Sequence, residues 1–93
     1  MPTDAADGAR ELPKVDFSTF VLSLATAALY ELGAVPDPAT GASAPGDPLV
    51  ARQTLETLEM LREKTLGNLT EDERKLIDSL LYDLRMRFVE LRR

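Results

Sequence analysis

"DFSTFVLSLATAALYELG", residues 16 to 33, is the stretch on which the fold turns. No charged residue lies between Phe17 and Tyr30, in a chain of 93 residues of which 29% are Asp, Glu, Lys or Arg. Asp16 reads as an N-cap and Gly33 as a left-handed stop, which sets a helix over about 16–32. Projected at about 100° per residue, Phe17, Phe20, Val21, Leu22, Leu24, Ala25, Ala28, Leu29 and Leu32 fill an arc of roughly 200°. A half-buried surface helix needs only about half of that. The remaining row, Thr19, Ser23, Thr26 and Tyr30, is uncharged and mostly small, and its hydroxyls can bond back to the backbone one turn earlier.

Outward from this helix the chain divides cleanly. Residues 1–14 are mostly Ala, Asp, Gly and Pro and are expected to form a flexible tail, because they bury too little to offset the cost of ordering. Residues 15–93 are expected to form one helical domain. "AVPDPATGASAPGDP" follows the first helix; its prolines and glycines forbid a regular element, so 33–47 is expected to be a loop, long for so small a domain. Asp47 and Pro48 then form a capping residue and a first-turn proline. The second helix is expected over 48–66, with Ala51, Leu55, Leu58 and Leu61 inward, and Gly67 ends it. Thr70 and Glu73 make a capping box for a third helix over 71–92. That helix carries Leu76, Ile77, Leu80, Leu81, Leu84, Phe88 and Leu91 at spacings of three and four. The short "GNL" link makes the second and third helices an antiparallel hairpin.

The fold class is therefore all-α, a three-helix chain, and assembly as a homodimeric helical bundle is expected. One hairpin covers one side of the first helix, and the chain has no further helices to cover the rest. Exposing several Leu and Phe side chains would forfeit roughly 1.5–3 kcal/mol each. A second copy, or a higher homo-oligomer, supplies the missing cover. The expected oligomer contact is Phe17, Phe20, Val21, Leu24, Ala28 and Leu29. The loop, poor in large apolar residues, is the weaker candidate for covering the helix within a monomer.

Composition narrows the function. Cys and His are both absent, which removes thiolate chemistry, disulfides, the commonest general base and the commonest metal ligand. The net charge of −5 opposes a protein built to grip phosphate backbones. "MPTDAADGAR" shows no basic region followed by an apolar run, so no signal peptide is expected. The uncharged helix falls short of the roughly 20 residues that cross a bilayer. Its polar side has no Lys or Arg for lipid headgroups. A cytoplasmic location without membrane attachment is expected.

Taken together, "DFSTFVLSLATAAL", the "LG" at 32 and 33, "PDPATG" at 36–41, "ARQTLETLEMLREKTLGNLTEDE" and "LLYDLRMRFVEL" resemble the bacterial family known as domain of unknown function 1844. The order and spacing of these blocks carry the likeness, which runs over about residues 16–91. It implies a small bacterial helical protein and brings no catalytic residues with it. The "ASAPGD" segment is richer in Pro and Gly than the family's pattern.

No residue set points to catalysis, and no cofactor or metal is expected. Glu71, Asp72 and Glu73 are adjacent on a helix and diverge, and capping explains them without a cation. Glu59 and Glu63 lie four apart, but Arg62 and Lys64 beside them favour a solvated, ionised pair over an acid–base site. "KTLGNLT" lacks the spacing of a phosphate loop and a preceding strand. Two partner surfaces remain. Pro36, Asp37 and Pro38 sit in a segment that serves equally as a protein ligand or a bare linker. Arg85, Arg87, Arg92 and Arg93 gather at the end of the third helix, where they complement its dipole. The expected function is that of a non-enzymatic, self-associating adaptor or regulatory module for protein–protein interaction. The alternative is a nucleic-acid-associated protein using the Arg85 and Arg92 side of the third helix, which the overall charge disfavours.

Overall fold

The computed structural model describes residues 12, 14–36, 39–41 and 46–92, the side chain of Arg92 excepted. It holds three helices, α1 (Phe17–Glu31), α2 (Pro48–Lys64) and α3 (Glu71–Arg92), and no strand among the described residues. Each helix packs on the other two. The expected tail at 1–14 lies outside the described residues apart from Leu12 and Lys14.

Local chemistry sets the helix ends. Asp16 caps α1 by accepting the Thr19 backbone N–H at Oδ1, at 2.7 Å. Asp47 caps α2 the same way for Leu49 and Val50, at 3.1 and 3.4 Å, with Pro48 in the first turn. The capping box of α3 is complete: the Glu73 N–H donates to Thr70 Oγ1 at 3.1 Å, and the Thr70 N–H donates to Glu73 Oε1 at 2.8 Å. Gly33 ends α1 with φ of 72°, which lets the Ala34 N–H reach back to the Leu29 carbonyl at 2.9 Å. α2 stops at Lys64, two residues before the expected end. Thr65 and Leu66 form a tighter turn there, in which the Leu66 N–H donates to the Glu63 carbonyl at 3.2 Å.

The core is one cluster with contributions from all three helices. Val21, Ala25, Ala28 and Leu32 come from the first segment, Ala51, Leu55 and Leu58 from α2, and Ile77, Leu81 and Leu84 from α3. Three alanines at its centre allow α1 and α2 to approach closely. Phe17, Leu24, Leu29, Leu61, Leu80, Phe88 and Leu91 pack around it, half-buried. No charged or polar side chain is buried among the described residues. The long connection returns to the core at its far end. There the Asp47 N–H donates to the Glu31 carbonyl at 2.7 Å. Glu31 Oε1 also accepts from Thr54 Oγ1 at 2.6 Å, tying α1 to α2 a second time.

Candidate interaction surface

The wide apolar arc of α1 is split between two environments. Its centre, Val21, Ala25, Ala28 and Leu32, faces the hairpin and is buried. Its two edges are not: Phe20 is 47% exposed and Leu22 46%. Between those edges lies the outward row of Thr19, Ser23, Thr26 and Tyr30, all exposed. The outer face therefore combines a small central row with a large side chain on each flank; it is uncharged along the helix, and Lys14 and Asp16 border it beside Thr19, Phe20 and Ser23.

The two central hydroxyls on this face are already satisfied. Ser23 Oγ donates to the Phe20 carbonyl at 2.8 Å, and Thr26 Oγ1 donates to the Leu22 carbonyl at 2.9 Å. Burying a hydroxyl without a partner costs roughly 1–3 kcal/mol. At Ser23 and Thr26 that cost is removed in advance, so an apolar neighbour can cover the middle of the row without stranding a donor.

The six residues expected at an oligomer contact fall in different places. Val21 and Ala28 are at 0% exposure inside the subunit's own core and have no surface to offer. Their place at the middle of the arc is what puts them against the hairpin. Phe17, Leu24 and Leu29 are half-buried on the same core. Of the six, only Phe20 is exposed. Leu22, Ser23, Thr26 and Tyr30, which were not in that set, stand on the outer face with Thr19. The signal for them was already present as the uncharged row opposite the arc.

Elsewhere the hairpin surface is a lattice of paired charges. Arg62 bonds Asp78 across the α2–α3 seam. Arg74 spans Glu71 at 2.6 Å and Asp78 at 3.4 Å along α3. The hydrogen bond from Arg62, aided by its charge and that of Arg74, holds the Asp78 carboxyl below the usual carboxylate range. Asp78 in turn raises the Arg62 guanidinium, and Glu71 does the same for Arg74. An open groove of about 410 Å³ runs beside this seam, lined by Arg62, Asp78, Leu81, Tyr82 and Arg85.

The Arg-rich end is engaged as well. Arg85 Nη2 lies 2.9 Å from Glu59 Oε2 on α2, and Arg87 Nε lies 2.9 Å from Asp83 Oδ2. The Arg92 side chain lies outside the described residues. Of the loop surface, Pro36 is exposed, while Asp37 and Pro38 lie outside the described residues. Glu59 is consumed by Arg85, and Glu71 and Glu73 by Arg74 and the Thr70 cap. Among the described residues, no group of three or more acidic side chains is arranged to hold a metal ion, and no helix is long and apolar enough to cross a membrane.

A family model described as "Domain of unknown function (DUF1844)" matches residues 14–90, nearly the whole chain. No curated protein and no solved structure matches it significantly.

Proposed function

We propose, from the premise that this chain belongs to the DUF1844 family, that it is a non-enzymatic, self-associating adaptor or regulatory protein of the bacterial cytoplasm. The observation that carries this reading is the outer face of α1. Phe20, Leu22 and Tyr30 are 47%, 46% and 39% exposed around hydroxyls already bonded to their own helix. Covering side chains exposed to that extent is worth about 1 kcal/mol apiece. A second copy is the occupant proposed. Two molecules of net charge −5 repel, and the uncharged run from Phe17 to Tyr30 is where a contact adds least to that repulsion. The carboxylates paired with Arg85 and Arg87 weaken the support for the nucleic-acid alternative.

A contact centred on one helix about 22 Å long falls short of the usual interface of about 800 Å² per partner. Area alone does not set affinity, so the mass is to be read over a concentration series. Light scattering behind gel filtration should approach twice 10.2 kDa as concentration rises into the tens of micromolar. Ser23→Glu, on an exposed site, should return the monomer mass with helical circular dichroism unchanged. A wild-type chain that stays monomeric throughout that range refutes the proposal.

A further inference from the structure

The outer row of α1 also contains the geometry of its own pairing, an inference that rests on the self-association proposed above. Thr19, Ser23, Thr26 and Tyr30 are spaced four, three and four apart. That spacing is the seam of a two-helix packing, with Phe20 and Ala27 along one flank and Leu22 and Leu29 along the other. We propose that two copies of α1 meet antiparallel, about a two-fold axis that lies between them at the level of Leu24 and Ala25.

Three features favour this alignment over a parallel one. The first is size. Positions 19 and 30, and positions 23 and 26, are symmetric about that midpoint, so an antiparallel pair sets Tyr30 of each copy over the small Thr19 of the other and Ser23 beside Thr26. On the flank, Ala27 of the other copy lies about 3 Å along the axis from Phe20, again small beside large. A parallel pair instead stacks Tyr30 on Tyr30 and Thr19 on Thr19, holding the helices apart at one end and leaving a gap at the other. The second is charge. Parallel packing brings two Asp16 carboxylates together, both ionised while they cap their helices; antiparallel packing separates them by the length of the helix. The third is the helix dipole, whose opposite ends lie side by side only in the antiparallel pair.

The small row also sets how near the backbones come. Thr and Ser at the centre allow the short end of the 8–10 Å range for packed helices. At that separation Phe20 and Leu22 reach the partner helix, so large side chains that the single subunit leaves about half exposed on α1 become covered. The two hairpins then lie on opposite outer sides, with the paired α1 helices between them.

The absence of cysteine makes the arrangement directly measurable. Thr19→Cys, Tyr30→Cys, Ser23→Cys and Thr26→Cys each place one thiol on the exposed row, and circular dichroism checks that each variant keeps its helices. In the antiparallel pair two copies of Thr19→Cys hold their thiols about 11 residues apart along the axis, or about 17 Å. A disulfide needs Cα atoms within about 7 Å. A mixture of Thr19→Cys with Tyr30→Cys should therefore oxidise to the cross-linked heterodimer at least about ten-fold faster than either variant alone. Ser23→Cys and Thr26→Cys should cross-link both mixed and alone, because two copies of either lie only about 4.5 Å apart along the axis. If Thr19→Cys cross-links to itself as fast as the mixture does, the helices run parallel: the pairing proposed here is overturned and self-association stands. If the mass doubles but no thiol on this row cross-links, another surface joins the copies, the apolar row of Tyr82, Met86 and Val89 on α3 being next in line, and the pairing is again overturned. A wild-type monomer overturns both proposals.

Discussion

Replacing Gly46 with Ala tests the closure of the fold where the long connection rejoins the core. A Cβ at Gly46 would sit 2.7 Å from the Leu32 carbonyl oxygen, 2.9 Å from the Leu32 carbonyl carbon and 2.9 Å from Leu91 Cδ2. The leucine methyl can rotate away, but the backbone carbonyl cannot, so residue 46 itself has to move by several tenths of an ångström. The next residue limits that movement. The Asp47 N–H bonds the Glu31 carbonyl at 2.7 Å, and its carboxylate caps α2. Loosening the first bond costs about 1 kcal/mol, and weakening the cap costs about 1 kcal/mol more. The stiffer unfolded chain returns only about 0.4–1 kcal/mol. The net expectation is a loss of about 1–1.6 kcal/mol, at the lower end for overpacked sites. For a domain this size that lowers the melting temperature by roughly 4–13 °C. Urea unfolding followed by circular dichroism, with both proteins at the same concentration, measures it. Gly41→Ala gives the contrasting case: its added Cβ meets nothing within 4 Å, and its φ of 71° alone should cost about 1–2 kcal/mol of backbone strain. Gly46→Ala equal to wild type would show that the connection does not clamp onto Leu32 as described.

Three further outcomes follow from the same structure. Leu58→Ala empties a fully buried site and should cost about 2–5 kcal/mol in urea unfolding, enough to leave the chain near its unfolding threshold at room temperature. Thr70→Ala removes one half of the α3 capping box and should cost about 1 kcal/mol, with amide exchange accelerating first at the start of α3. Asp78 should make the seam acid-sensitive. Its folded pKa lies below the unfolded value of about 3.9, so its stabilisation is present above that value and disappears as pH falls through the lower folded one. Asp78→Asn should therefore be less stable than wild type at pH 7, and the gap should close in titrations carried below about pH 4; a gap of equal size at both ends would remove the ionised carboxylate as its cause.

The helices were legible in the sequence because their signals are local. Asp16, the Asp47–Pro48 pair and the Thr70–Glu73 box each act within three residues, and each makes the bond its position implies. The inward rows of α2 and α3 were legible for a related reason: their apolar stripes are narrow and each has one place to go. The apolar arc of α1 is different. It holds more oil than one neighbour can cover, and a helical wheel gives the total without the allocation. The hairpin could have packed against either edge, leaving the middle for a partner. It takes the middle, so Val21 and Ala28 become core while Phe20 and Leu22 remain outside. The deciding contacts are non-local. Ala51 on α2 presents a small side chain that α1 can approach closely, Thr54 bonds Glu31, and Gly46 brings the returning chain against Leu32 and Leu91. These fix the rotation of α1 about its own axis. Once that rotation is set, the outer row follows without further choice, and the uncharged residues left over as the polar remainder of the wheel become the surface through which self-association is proposed.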